Sequence, residues 1–564
     1  MKVVIIGGVA GGATAAARLR RLDESAEIVV LERSGYVSYA NCGLPYYVGG
    51  AIEAESALTL QTPQSFWNRF HIDVRVKNEA TAIDTAAKTV TVTRLEDGSV
   101  YTESYDKLIL SPGARPVVPG MPGIDNPNIF TLRTVEDTLT IRRYIDEKQP
   151  KSAVIVGCGF IGLEMAENLS EAGVATTLLD LSDHVLPPLD YDVACLIHPY
   201  LRDKGLGLRL NAQVEGFSDE GGRVLTSLKG QDGILADMVI LAIGVQLDTR
   251  LAEAAGLQLG ARKSIVVDEH MLTSDPNIYA VGDAVQVKNY VSGQDALIAL
   301  AGPANKQGRI AADNICGRDS VFRGSQGSSV IKLFDMTVAS TGLNEAAAKA
   351  AGIPCDKVVS FSPSHATYYP GANNMTIKTV FDPSTGKILG AQIVGFEGVD
   401  KRIDVLAAAI HGNMTAADLA ELDLAYAPPY SSAKDPVNMA GFMIENILNG
   451  LVKQYHWDQV DQLPRDGSVT LLDVRTPMEY ANGHFDGTIN IPVDVLRDHL
   501  DELDSSKPVY VNCQSGLRSY IACRILSGKG FDCYNFSGGY RYYDSVNKDR
   551  GFDATPKHSC GINI

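Results

Sequence analysis

Nine cysteines are spread over 564 residues, and no two of them stand in a CxxC spacing. Their odd number and wide scatter argue against a disulfide framework and against a zinc site, and fit a reduced, cytoplasmic setting. Positive charge is also short: 50 Lys and Arg face 67 Asp and Glu, a formal charge of −17. Such a chain has no net positive field to gather phosphates, so nucleic acid is not an expected partner. No uninterrupted apolar run reaches the roughly 18 residues that a membrane-crossing helix needs. The opening MKVVIIGGVAGGATAAARLRR is apolar. Its run breaks at paired glycines and offers no convincing cleavage site, so it reads as a buried strand entering a helix rather than a signal peptide.

Against those absences stands an ordinary globular composition, 45% hydrophobic and 21% charged, in a chain long enough for three or four domains. Two segments resemble each other: KVVIIGGVAGGATAAARLRRL at the start and SAVIVGCGFIGLEMAENLSEAG from Ser152. Each is an apolar strand, a glycine turn and an amphipathic helix. Each is followed by a second apolar strand ending in an acid, EIVVLE at Glu32 and ATTLLD at Asp180. This pattern opens a dinucleotide-binding unit. The glycines let backbone N–H groups approach a pyrophosphate, the helix N-terminus adds a favourable field, and the acid accepts from a ribose diol. Gly157, Gly159 and Gly162 complete G-x-G-x-x-G, whereas the first copy has Val9 at the middle glycine.

Further strands end at Ser111–Gly113, Gly244 and Gly282–Asp283. In order they predict one nucleotide-binding domain (1–112 and 245–325) with a second (113–244) inserted into it. An α+β domain follows over 326–450, then a linker at 451–462 containing KQYHWDQ, then a compact α/β unit over 463–564. Arg18 and Arg21 lie about one turn apart on the first helix, so both could face one anion. A solvated basic face is the plainer reading of the bare spacing. In VNCQSGLRS, Cys513 follows an apolar strand and feeds a helix N-terminus, where N–H groups and Arg518 are expected to stabilise a thiolate or persulfide. Cys523, Cys533 and Cys560 are expected to be structural. Cys42, in SYANCGLPYY, has no neighbouring cysteine.

The motifs GGVAGG, SYANCGLPYY, GCGFIGLEMAE, NIYAVGDA, LAGPANKQGRIAADN and YAPPYSSAKDPVN resemble those of the flavin-dependent pyridine nucleotide–disulfide oxidoreductases, and among them the coenzyme A disulfide reductases. LLDVRTPMEYANGHFDGTINIP and CQSGLRS resemble a rhodanese domain, and the combination is similar to NADH-dependent persulfide reductases. The resemblance implies two Rossmann-like domains, one inserted in the other, an α+β dimerisation domain and a C-terminal α/β rhodanese domain, assembled as a homodimer.

It also implies roles. Gly7, Gly8, Val9, Ala10, Gly11, Gly12, Glu32, Arg33, Ala80, Ser111, Gly113, Arg133, Gly282, Asp283 and Ala301 would line FAD. Gly157, Gly159, Phe160, Ile161, Gly162, Glu164, Asp180 and Gly244 would hold the nicotinamide dinucleotide. Asp180, with no arginine in the LSDHVL that follows, favours NADH over NADPH. Thr14, Arg18, Arg21, Ser38, Asn41 and Lys434 would meet coenzyme A. Tyr368 and Tyr426 would reach the Cys42 thiol from the partner subunit. The implied activity is NADH-dependent reduction of coenzyme A disulfide, coenzyme A persulfide or polysulfide through Cys42, with Cys513 as a sulfurtransferase nucleophile. The alternative is an NADH peroxidase or oxidase using a Cys42 sulfenic acid. Relatives of that kind carry a histidine in the first glycine turn, where this chain has Ala10.

Overall fold

The structure, a computed structural model, describes residues 1–552; Cys560 lies outside them. The described chain divides into two compact units, residues 1–183 with 204–327, and residues 184–203 with 328 onward.

The first unit holds two parallel sheets. The apolar run Lys2–Ile6 is the central strand of the first, flanked by Glu27–Leu31 and Lys107–Leu110, with Asp73–Arg75 and Ile278–Ala280 outermost. Its strands read as continuous apolar runs because both faces are covered. Helices Ala10–Leu22 and Ala301–Ile315 cross closely on it. A Cβ on Gly308 would lie 2.3 Å from the Gly11 carbonyl oxygen. Ser152–Val156 occupies the same central position in the second sheet, between Ala175–Leu179 and Met238–Leu241, with Gly207–Arg209 and Ile129–Thr131 at the edges. Lys107–Leu110 and Ile278–Ala280 pair directly although the whole second sheet lies between them in the chain. One nucleotide-binding fold is therefore threaded into the other.

The second unit combines an antiparallel sheet, in the order Ser329–Leu333, Met336–Gly342, Ile388–Gly395, Asn374–Phe381, Asp356–Pro363, with a parallel one built on Cys533–Phe536, Val509–Asn512 and Thr470–Asp473. Two expectations change here. Lys453–Tyr455, in the presumed linker, is an edge strand of the parallel sheet, and Tyr455 is buried and stacked on Phe536 at 4.9 Å. The polar look of the segment hid that its aromatics are core. In addition, His184–Asp203, expected within the second nucleotide fold, belongs to the second unit. The reason is electrostatic. Lys378, 1% exposed, is salt-bridged to Asp190 and Asp192 at 2.8 Å and to Glu345 at 3.3 Å. A buried ammonium with these three carboxylates cannot release them without several kcal/mol of penalty. The indole of Trp457 also donates to Asp192 at 2.9 Å. At the far end, Asp549 accepts from His198 Nδ1 at 2.9 Å and from Arg202 at 3.1 Å.

Candidate active sites

The two glycine turns have a steric basis. Gly7 and Gly157 adopt φ of +95° and +109°. A Cβ on Gly12 or Gly162 would lie 1.9 Å from the Gly7 or Gly157 carbonyl oxygen respectively. Only glycine lets each helix start this close to its strand. Neither helix has an acid in its first turn, so each N-terminus keeps its positive field. Glu32 reaches back to the first turn and accepts from Gly8 N at 2.8 Å. Asp180 does the same in the second, accepting from Cys158 N at 2.5 Å and Ser182 N at 2.8 Å. Burial pushes the Glu32 and Asp283 carboxyls up, a cost that hydroxyl donors of a ribose or ribitol would offset. These turns and acids fit FAD at the first fold and a nicotinamide dinucleotide at the second.

The remaining expected FAD residues are distributed unevenly. Gly11 sits against Ser111 Oγ, within 3.1 Å of where its Cβ would be, and Gly282 N donates to Gln307. Arg133 donates to the Ala114 carbonyl at 2.7 Å and to Tyr39 Oη at 3.2 Å, and it lies beside Gly113. Arg33 is engaged by Asp248 at 2.8 Å. Ala80 lies in the hydrophobic core beneath the first sheet, and Ala301 opens its helix. In the second fold, Ile161 is exposed beside Phe160 at the helix start, and Gly244, at φ +107°, lies in the loop between the strands Met238–Leu241 and Val245–Leu247 rather than at a strand end as expected.

Cys42 lies in the 3₁₀ turn Asn41–Gly43 that runs into the helix Leu44–Gly49. Ser38, at φ +49°, ties this segment to the first glycine turn by donating its N–H to Gly8 O at 2.8 Å. Asn41 accepts from Arg133 at 3.4 Å. Cys42 is exposed to solvent, yet the groups packed around it oppose its thiolate: they partly desolvate the sulfur, and the Glu164 and Asp283 carboxylates raise its pKa further. Glu164 is itself pushed up to about 7, mainly by burial, while its hydrogen bond from Tyr46, at 3.5 Å, pulls the other way. Tyr46 was not singled out from the sequence. Its position one helical turn past Cys42 was the available signal.

The expected coenzyme A residues are not all brought together. Arg18 turns onto Asp313, with its Nε and Nη2 both 2.7 Å from Oδ1, while Arg21 caps the Ala17 carbonyl. The pair therefore does not present one doubly positive face, because a buried carboxylate distant in sequence has claimed Arg18. Thr14 donates to Asn305 at 2.5 Å. In the second unit Lys434 is exposed. Tyr368 and Tyr426, also exposed, share a hydroxyl–hydroxyl hydrogen bond of 2.7 Å.

Cys513 ends the strand Val509–Asn512 and is fully buried. Its sulfur accepts from Gly516 N at 3.1 Å and Ser519 Oγ at 3.2 Å. Gly516, at φ +99°, caps the helix Leu517–Ser527. Arg518, near enough to Cys513 to interact with it electrostatically, also forms two hydrogen bonds with Glu479, at 2.8 and 2.7 Å, so its charge is shared with that carboxylate. Ser519 and Glu479 were missed in the sequence. Cys523 and Cys533 are buried in the same core.

Residues 1–308 match the model of the pyridine nucleotide-disulphide oxidoreductases, residues 328–436 the dimerisation domain of that group, and residues 456–545 the rhodanese-like domain. The chain belongs to the pyridine nucleotide-disulphide oxidoreductase family. The crystal structure of reduced Bacillus anthracis CoADR-RHD matches at 48% identity and a TM-score of 0.95, over 97% of this chain and 98% of that one. An NAD-dependent persulfide reductase from A. fulgidus matches at 38% identity and a TM-score of 0.89, over 96% and 100%. The coenzyme A disulfide reductase of Staphylococcus aureus (strain JH9) is 36% identical over 78% of this chain and 99% of its own length. Among the described residues no helix is long and apolar enough to cross a membrane.

Proposed function

We propose that this protein is a reductase that uses NADH and FAD to cleave coenzyme A disulfide, coenzyme A persulfide or polysulfide at Cys42, and that Cys513 carries sulfane sulfur as a persulfide. The observation that carries the reading is the pair of cysteines in unrelated settings on one chain. Cys42 sits in a turn hydrogen-bonded to the first glycine loop, and Cys513 sits in a loop whose N–H and hydroxyl groups converge on its sulfur. Resemblance to proteins named for both chemistries supports it.

Bound FAD supplies two-electron transfer between a nicotinamide and a disulfide. The chain does the rest. Gly7 to Gly12 and Gly157 to Gly162 hold the two pyrophosphates on backbone N–H groups. Glu32, Asp180 and Asp283 accept from sugar hydroxyls, and Asp180 disfavours a 2′-phosphate. Cys42, as thiolate, attacks a disulfide or persulfide sulfur and expels one thiolate. Glu164, titrating near neutrality, holds a proton close to that thiol. Tyr368 and Tyr426 donate to a departing thiolate across a homodimer interface. Arg21, Ser38, Asn41 and Lys434 remain the groups for coenzyme A, with Arg18 held by Asp313. No second protein cysteine is needed at Cys42, because the mixed disulfide is resolved by reduction.

The test is anaerobic stopped-flow reduction of the flavoprotein by NADH or NADPH, followed by mixing with each acceptor. Rapid reoxidation by coenzyme A disulfide or persulfide, with NADH the faster donor, is expected. Reoxidation by peroxide or oxygen alone would refute the reading.

A further inference from the structure

Tyr368 and Tyr426, the two hydroxyls assigned to a departing thiolate, are 74% and 47% exposed, so little side-chain packing fixes them. Their place has to come from the two loops that carry them, and both loops are tied to one buried guanidinium. Arg402, on the helix Val399–His411, is 1% exposed. Its Nη2 lies 3.0 Å from the Ser364 carbonyl oxygen, four residues before Tyr368, and 3.3 Å from the Tyr430 carbonyl oxygen, four residues after Tyr426. The same nitrogen donates to Ser431 Oγ at 3.1 Å and to Asp435 Oδ2 at 3.0 Å, and Ser431 Oγ in turn donates to Asp435 Oδ2 at 2.7 Å. Nη1 holds the Gly398 carbonyl at 3.2 Å. The loops also meet directly, where the Ala366 N–H points at the Pro428 and Ser431 carbonyls at 3.3 and 3.0 Å. Asp435 is buried, follows Lys434 in the chain, and caps the helix Pro436–Leu448 by accepting from Val437 N at 3.0 Å.

We propose that Arg402 is a positioning residue for the chemistry at Cys42: by clamping the Ser364 and Tyr430 carbonyls together it sets the hydroxyl pair of Tyr368 and Tyr426, joined at 2.7 Å, where the thiolate departs. This rests on the reading that the two tyrosines donate to that thiolate across the dimer. One hydroxyl donates to the other, which leaves a single O–H to meet the sulfur. A shift of either loop alone breaks the pair and misaims that proton. The clamp calls for a guanidinium. Carbonyls, a hydroxyl and a carboxylate approach it from several sides, and a rigid fork of N–H donors meets them together, whereas the ammonium of a lysine is a compact point charge. Burial makes the clamp stiff, because carbonyls released inside the protein find no water to replace the lost donor. Asp435 balances the charge from within, so Arg402 acts on the loops and not on the substrate.

The experiment is a mutant cycle on the FAD-loaded full chain, read as the limiting rate at which saturating coenzyme A disulfide reoxidises the NADH-reduced enzyme. Arg402→Lys keeps the charge and loses the fork. Ser431→Ala is the milder change and removes one bridging hydroxyl. Arg402→Lys is expected to lower the limiting rate by about 10- to 100-fold, the loss that a misplacement of about 1 Å brings. Ser431→Ala should lower it by about 2- to 10-fold, what one hydrogen bond is worth. Flavin reduction by NADH should match wild type in both. The variant with Tyr368→Phe and Tyr426→Phe together is expected to lose about 100-fold or more. In that background Arg402→Lys and Ser431→Ala should cost nothing further, because the clamp has no hydroxyl left to aim. If they cost the same factor in both backgrounds, or nothing in the enzyme that keeps its tyrosines, Arg402 does not position them; the inference falls and the role of the tyrosines stands. If the paired phenylalanine variant reoxidises as fast as wild type, that role is wrong and the inference goes with it. Should Arg402→Lys yield no FAD-loaded protein, Ser431→Ala carries the same cycle and decides alone.

Discussion

Gly162→Ala tests whether the second glycine turn binds the nicotinamide dinucleotide. The added Cβ would stand 1.9 Å from the Gly157 carbonyl oxygen and 3.0 Å from its carbonyl carbon. Ordinary contact needs about 3.4 Å, so the helix Phe160–Glu171 must move by more than an ångström from the strand Ser152–Val156, and packed backbone does not yield cheaply. Overpacking of this kind typically costs ~1–3 kcal/mol. That displacement falls on the helix N-terminus and on the amide of Cys158, which Asp180 holds. If half to all of that cost is drawn from cofactor binding, ~0.5–3 kcal/mol, Kd for NADH rises about 2- to 140-fold, at ~1.4 kcal/mol per factor of ten. The first turn is untouched, so FAD content and photochemical reduction of the flavin should match wild type. The assay is rapid reduction at increasing NADH, reading Kd and the limiting rate separately. A variant with unchanged Kd, or one that loses FAD as readily as NADH affinity, would refute the assignment of the two turns. Gly12→Ala, with the same 1.9 Å approach in the first fold, should give the reverse pattern: loss of FAD on purification.

Cys42→Ser should leave flavin reduction by NADH intact and abolish reduction of coenzyme A disulfide. Cys513→Ser should keep that reaction near wild type and lose Cys513-dependent persulfide transfer, and equal loss of coenzyme A disulfide reduction in both variants would refute separable sites. Glu164 carries a carboxyl raised from 4.5 to about 7. The stability its protonated form contributes is therefore complete below pH 4.5 and is lost as pH rises through 7, a swing on the order of 3 kcal/mol. Glu164→Gln should accordingly raise Tm relative to wild type at pH 8 more than at pH 5, and a pH-independent Tm difference would show that this carboxyl is not desolvated. Protein kept oxidised should yield coenzyme A on denaturation, bound to Cys42 and released by dithiothreitol. Denaturing mass spectrometry that finds neither the adduct nor free coenzyme A would count against Cys42 as the substrate-binding thiol.

The nucleotide folds were legible because their signals are short-range. A strand, a glycine turn and a helix follow one another within about twenty residues, and the collision of a Gly162 Cβ with Gly157 is decided by five residues of chain. The same holds for Cys513, whose sulfur is satisfied by Gly516 and Ser519, three and six residues on. Charge pairing followed another rule. Arg18 and Arg21 are spaced to share an anion, yet Asp313, 295 residues away, takes Arg18. Arg518 lies beside a nucleophile, yet it also pairs with Glu479, 39 residues earlier. His184–Asp203 follows the second nucleotide fold's acidic strand, yet buried Lys378 draws Asp190 and Asp192 into the other unit. A side chain's torsional and steric limits are set by its chain neighbours, so local sequence fixes turns, strands and caps. Which countercharge a long cationic side chain meets depends on every segment folded within a few ångströms of it, and desolvation makes that pairing compulsory once the group is buried.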